Sequence, residues 1–404
     1  MPPIKSPTAV SDEVARLRSI AFLNWAHAVD HFVLLIYPTV VIGLEVIYNR
    51  PYSELIALSS AAFLAFGIFS LPAGWLADRW SRSGMMTVFF FGIGAATVLT
   101  GLAQTPLQIA IGLTFIGVFA AIYHPVGLTM LVSNTTANLG RVLGVNGVWG
   151  NVGVAVAALI AGALAEWVHW RAAFFIPGAL AIATGIAFVV LKPVTPAAKA
   201  GTRTAPPRLT RDLLLRAFAV LAVAIVTNSV IFNATTISMP KLFDERISAI
   251  THSTAGIGLM VCIVYLIAAV AQLIVGGLID RIGLRRIFVP VVALQIPLLL
   301  LAAGTENMAM IVVAAGMMFF VFGQIPINDA MVARYTVEEW RARAYAVRYV
   351  VSFAASATAV PLVAWSQASG RGFPTVFVIL AVLASVSLVV AFFFPRETPS
   401  AVPA

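Results

Sequence analysis

GWLADRWSRSG at residues 74–84 and GGLIDRIGLRR at residues 276–286 decide how this chain reads. Each closes a long apolar run with glycine, an Asp-Arg pair and further basic residues. The two stand 202 positions apart, and the same shift lays Pro38 on Pro240 and Arg141 on Arg343. Anchors in register at one offset mark a parallel duplication.

Composition says what surrounds the repeat. Of 404 residues, 61% are hydrophobic and 10% charged, with a mean hydropathy of +0.98. Soluble chains carry roughly a quarter charged residues, so lipid is part of this chain's solvent. Twelve apolar runs approach or exceed the roughly 20 residues that a spanning helix needs. They lie at 19–46, 53–78, 85–103, 107–132, 141–166 and 172–191, then at 213–240, 254–280, 286–303, 308–333, 343–367 and 373–395. Residues 192–212, rich in Pro, Ala and basic side chains, read as a linker. The expected organisation is a tail at 1–18, a six-helix bundle at 19–191, the linker, a second bundle at 213–395 and a tail at 396–404. The fold class is therefore an all-α membrane protein of twelve transmembrane helices in two pseudo-symmetric six-helix bundles.

The net charge of +9 is arranged as topology rather than as a nucleic-acid stripe. With the N-terminus inside, eighteen of the 25 Lys and Arg fall on the inner side and five on the outer. That bias places both termini in the cytoplasm of an inner (plasma) membrane. Trp75, Trp80, Trp167, Trp170 and Trp340 fall near span ends, as interface anchors should. The lone Cys262 excludes an intrachain disulfide, and the polar N-terminus reads without a cleaved signal. No Gly-rich phosphate loop, cysteine cluster or Ser-His-Asp arrangement is present, so neither an enzyme nor a cofactor is expected.

The informative residues are polar ones at membrane depth, which usually face the protein interior or a water-filled path. The first segment carries His27, Asp30 and His31, spaced i, i+3, i+4 on one helix face near the midplane. The fourth carries Tyr123, His124 and Pro125, and the fifth Asn146 and Asn151 on a face thinned by Gly147, Gly150 and Gly153. These glycines, with Gly117, read as close-packing positions. The second half offers Asn228, Asn233, Gln324, Asn328, Asp329 and Arg348. His31 is the repeat equivalent of Asn233, and Asn146 of Arg348. For each amide, helix–helix hydrogen bonding stands beside solute contact, and Arg348 has snorkelling to headgroups as its alternative.

The paired motifs resemble the signature of the major facilitator superfamily between helices 2 and 3 and its echo between helices 8 and 9. The first copy departs from the pattern at Ser81 and Ser83. The resemblance implies two bundles that rock about a central site, and a conformational latch formed by Gly74, Asp78 and Arg79 with Gly276, Asp280 and Arg281. Asp78 would cap segment 11 near Arg343, and Asp280 would cap segment 5 near Gly140, as a carboxylate at a helix N-terminus can. AHAVDHFVLLIYPTV, GVFAAIYHPVG and GVNGVWGNVG together resemble the fosmidomycin-resistance branch, matching it at His27, Tyr37, Pro38, His124, Pro125, Gly150, Asn151 and Gly153. This chain departs from that branch at Asp30, His31 and Val126.

These readings imply a monomeric secondary active transporter, working by alternating access among membrane lipid, that couples protons to efflux of a small organic compound or drug. Asp30 with His27 and His31 would carry the proton. Tyr37, His124, Asn146, Asn151, Asn233 and Arg348 would contact the solute. The alternative is uptake of a small anion recognised by Arg348, or of a transition-metal ion held by His27, Asp30, His31 and His124.

Overall fold

The computed structural model describes residues 7–135, 139–191, 211–336 and 338–395, with side chains from residue 13 onward except at 139–140, 211, 213, 280 and 338–346. Most of the linker and the last tail lie outside the described residues. Among the described residues the chain is helical throughout, as lipid requires, because a helix satisfies its backbone donors internally. Twelve spans result: α1 (Glu13–Tyr48), α2 (Tyr52–Arg79), α3 (Arg82–Gly101), α4 (Pro106–Ser133), α5 (Arg141–Trp167), α6 (Ala172–Leu191), α7 (Leu214–Arg246), α8 (Thr254–Ile279), α9 (Leu284–Ala302), α10 (Asn307–Tyr335), α11 (Val347–Ala368) and α12 (Gly372–Phe393). Each lies within a few residues of its expected run, except that α1 and α7 extend by six residues at one end.

The duplication governs packing. In the first half α1 lies on α5, α2 on α4, and α3 on α4 and α6. The second half repeats this with α7 on α11, α8 on α10, and α9 on α10 and α12. Between halves, α5 meets α8 and, at the equivalent position, α11 meets α2.

Prolines interrupt the helices where the sequence places them. Pro38 has no N–H for the carbonyl of Leu34, and α1 stops at Leu34 and restarts at Tyr37. Pro125 leaves Ala121 likewise unserved, and Tyr123–Gly127 relaxes into a π turn. Glycine sets the closest approaches. A Cβ on Gly153 would stand 2.2 Å from Ala28 O, and one on Gly117 would stand 2.0 Å from Ala62 O. Both are close-packing positions as expected, whereas Gly147 has nothing within 4 Å. Trp75, Trp80 and Trp167 are exposed at span ends, as anchors should be. Trp170 is not an anchor of that kind: it is buried beneath the Arg171 guanidinium, 4.5 Å from the ring centroid.

By helical spacing, one stripe of α5 runs through residues 144, 147, 151, 158, 162 and 166, and the stripe of α8 that meets it runs through 254, 258, 262, 272 and 276. On the face opposite the chain ends the stripes touch. Glu166 Oε2 accepts from Ser253 Oγ at 2.6 Å and from the Ala255 amide at 2.8 Å, in the first turn of α8. A Cβ on Gly258 would meet Ala158 O at 2.3 Å. The contact ends near mid-span, where Gln272 Nε2 donates to Asn151 Oδ1 at 3.2 Å. Beyond it, Gly144, Gly147 and Gly276 have nothing within 4 Å. The halves thus separate along this seam toward the chain ends. Lys241 of α7 closes the far face a second time, donating to Glu45 of α1 at 2.5 Å and to its own neighbour Asp244 at 3.0 Å.

An exposed carboxylate at a helix N-terminus, as Glu166 is, contributes about 0.3–1 kcal/mol. Glu166→Ala is therefore expected to loosen the far face. Cys262, one helical turn beyond Gly258 on the same stripe and buried, reports on it. Its alkylation in detergent should be slow in wild type and about two- to five-fold faster in the variant, the population change that about 0.3–1 kcal/mol produces. An unchanged rate would mean that Glu166 does not hold the seam.

Candidate functional site

The titratable residues of the first half converge. His27, Asp30 and His31 lie on one face of α1, and Asp30 falls seventeen residues after Glu13 and eighteen before Tyr48 in the span Glu13–Tyr48. That face turns toward the π turn of α4. A π turn carries an extra residue and recurs at functional sites. Here it brings two consecutive side chains against His27: Tyr123 stacks on its ring at 4.8 Å between centroids, and His124 meets it edge-on at 5.4 Å. His31 lies 5.0 Å from His27 and 5.6 Å from His124 between centroids.

Helix α5 fixes the height of the cluster. His27 Nδ1 lies 2.8 Å from the backbone oxygen of Asn146. A carbonyl only accepts, so Nδ1 carries the hydrogen and Nε2 of the neutral ring keeps its lone pair. That edge of the ring rests on Gly150, where a Cβ would come within 2.7 Å of Nε2. The side chain of Asn146 completes the support. It accepts from the Tyr123 hydroxyl at 3.1 Å and donates to Asn24 Oδ1 at 3.0 Å. Asn146 therefore positions the imidazoles from behind.

Asp30 is the residue that the fold leaves unsettled. Its side chain is 0% exposed, and His124 Nε2 stands 3.5 Å from Oδ2. Among the described residues, neither carboxyl oxygen and neither ring nitrogen of His124 makes a hydrogen bond. The carboxyl faces neither lipid nor an open hydrated cavity; it is closed within the cluster, and half-buried His31 is the side chain nearest the outside. An uncompensated carboxylate at such a place costs several kcal/mol, a cost that a proton or a cation beside it would lower.

The second half supplies the cover. His124 is packed by Tyr349 and Phe353 of α11, at 5.2 and 5.3 Å between centroids, and Phe353 stacks edge-on to Phe66 of α2 at 4.3 Å. The centre therefore lies on the boundary between the bundles. Composition alone did not mark Tyr349, Phe353 or Phe66, because aromatic residues in apolar runs carry no polar signal. Gln272, a lone amide in the run 254–280, did carry one.

Of the remaining expected contacts, Tyr37, Asn151 and Asn233 lie apart from this cluster, whereas Arg348 borders it through Tyr349. Tyr37 donates its hydroxyl to Leu55 O at 2.6 Å and fastens the start of α2 to α1. Asn151 is on the α5–α8 seam. Asn233 Nδ2 donates to Ser356 Oγ at 2.7 Å, and Ser229 shares a 2.6 Å hydroxyl contact with Ser352, all within the second bundle. Arg348 is ion-paired with Asp329 and stacks over Tyr349. Of the expected latch, Asp78 bonds to Arg82 at 3.0 Å. The side chains of Asp280 and Arg343, and Gly140, lie outside the described residues.

Comparison with known proteins places this architecture. The model of the Major Facilitator Superfamily matches residues 20–251 and again 244–404. The chain belongs to that superfamily, a family of transporters and not of enzymes, and it is a multi-pass membrane protein. Two solved structures share the fold, a bacterial homolog of the human lysosomal transporter Spinster in inward-facing unoccupied and occupied forms. They superpose with TM-scores of 0.71 and 0.72 at 13% and 14% identity, covering 94% of this chain and 95% and 96% of theirs. The puromycin resistance protein pur8 of Streptomyces alboniger is 32% identical over 125 residues, 30% of this chain. The match spans a quarter of that relative's length.

The support behind the imidazoles can be tested by Asn146→Leu, which keeps bulk and removes the amide. Hydrogen bonds between membrane helices are worth about 0.6 kcal/mol each on average. With two lost and the Tyr123 hydroxyl left without its partner, thermal unfolding in detergent should show a loss of about 1–2 kcal/mol. Unchanged stability would show that the network contributes nothing to packing.

Proposed function

We propose that the chain is a proton-coupled secondary transporter that exports a small organic compound across a bacterial inner membrane, as a monomer with both ends in the cytoplasm. The observation that carries the reading is Asp30, a buried carboxylate without a hydrogen bond, held beside His124 where the two halves meet. A proton on this centre neutralises it. Rocking of the halves moves Tyr349 and Phe353 away from His124 and opens the centre to one side of the membrane. The solute and the proton then compete for it, which links their fluxes.

The charge balance favours a compound bearing a positive group. Arg348, the residue that would recognise an anion, has Asp329 as its counterion, and Lys241 has Glu45 and Asp244. Small-anion uptake loses its support accordingly. The resemblance of α1, α4 and α5 to the fosmidomycin-resistance branch, and the partial likeness to a puromycin resistance protein, favour export. The concentration of Lys and Arg near the chain ends favours their cytoplasmic placement.

Proteoliposomes carrying an imposed pH gradient and an internal pH dye test the coupling, with puromycin and a panel of other organic amines as trial solutes. Wild type should discharge the gradient when a transported amine is added. Asp30→Asn, which preserves shape and removes the exchangeable charge, should cut that discharge at least about a hundredfold. Wild-type rates in Asp30→Asn would overturn the assignment of the proton to this carboxyl.

A further inference from the structure

The three imidazoles offer more than a proton site. One ligand nitrogen from each of His27, His31 and His124 lies within 4.8 Å of the others. Three nitrogens sharing one zinc-like ion at about 2.0–2.1 Å would stand about 3.4 Å apart in a tetrahedral arrangement. The rings therefore need to close by up to about 1.4 Å, within reach of side-chain rotations. We propose that His27, His31 and His124 form a binding site for a divalent first-row transition-metal ion, with the Asp30 carboxylate as the neighbouring donor and counter-charge.

Three features of the centre favour such an ion. Imidazole donors suit zinc, copper and nickel and disfavour magnesium and calcium, which take oxygen ligands. The Asn146 carbonyl holds Nδ1 of His27 as its N–H, which leaves the lone pair on Nε2. That is the outer-sphere arrangement usual for metal-bound histidines. His124 has both ring nitrogens free of hydrogen bonds, and Asp30 has both oxygens so. A metal ion would satisfy buried acceptors that nothing else among the described residues satisfies.

The inference rests on the reading of this cluster as the transporter's cation-receiving centre, and it names a second ligand class for it. The test uses purified full-length protein without a histidine tag, in detergent, titrated with Co²⁺ alone and separately with Cu²⁺. Wild type should bind one Co²⁺ per chain with the visible d–d bands of a low-coordinate nitrogen site. The Cu²⁺ electron paramagnetic resonance spectrum should show coupling to three nitrogens. His31→Ala and His124→Gln should each weaken Co²⁺ binding at least about tenfold, and Asp30→Asn should weaken it with all three nitrogens retained. The double variant His169→Ala/His252→Ala removes the two exposed histidines and should bind as wild type does.

No saturable Co²⁺ binding by folded wild type, or equal binding after loss of His31 and His124, would overturn the proposal. So would loss of binding in the His169/His252 variant. Because Co²⁺ spectra are read from wild type, a variant that misfolds does not decide the outcome. The two readings separate cleanly. Metal binding alongside an active Asp30→Asn variant would remove proton coupling and leave the metal site, whereas an inactive variant with a wild type silent toward Co²⁺ would do the reverse.

Discussion

The approach of α1 to α5 is the constraint on which the site depends. Gly153 admits the backbone of Ala28 and Gly150 admits the ring of His27, so the two helices meet with almost nothing between them. At that separation the Asn146 carbonyl reaches His27, and the rotation of α1 about its own axis is set. Once α1 is fixed, Asp30 has no choice of direction: it points at α4, where the π turn presents His124. Any side chain larger than hydrogen at Gly150 or Gly153 would move all four groups together. The polar cluster is thus a consequence of a packing contact as much as of its own chemistry.

The same contact exists in the second half with different chemistry. Adding 202 turns His27 into Ser229 and Gly150 into Ser352, and those two hydroxyls meet at 2.6 Å. His31 becomes Asn233, which bonds to Ser356. His124 becomes Pro326, and Asp30 becomes Phe232. Where the first bundle carries ionisable groups with unused donors and acceptors, the second carries neutral pairs that satisfy each other. Arg348, at the start of α11, has Asp329 as counterion. Duplication supplied two equal frameworks, and the chemistry of the centre was placed in one of them.

Much of this was legible in the residues. Twelve spans, their boundaries and the repeat follow from apolar run length and from GWLADR matching GGLIDR, because the bilayer imposes one length on every crossing. The convergence of His27, Asp30 and His31 follows from helical periodicity, and their meeting with His124 was open to expectation because all four stand at similar depth. What could not be read is which helices touch. Tyr37 and Asn233 carry the right chemistry yet serve local contacts, and Asn151 serves the seam. The aromatic cover from α11 was invisible because Tyr349 and Phe353 are ordinary residues for an apolar helix. The closed surroundings of Asp30 likewise depend on how two bundles meet, which no single segment encodes.

The Asn151–Gln272 contact marks where the α5–α8 seam ends, and it lies a few residues from the midpoint of α5 toward the chain ends. It lies ten residues from Arg141 and sixteen from Trp167 along the span Arg141–Trp167. At 1.5 Å per residue these are arms of roughly 15 and 24 Å. If this point serves as the fulcrum, a given tilt displaces the far mouth about one and a half times as much as the mouth by the chain ends. The gap seen here on the short arm thus corresponds to a wider gape on the long one, and molecules too bulky for one doorway would still clear the other. Such a lopsided lever would build a size bias between the two directions of travel into the backbone itself.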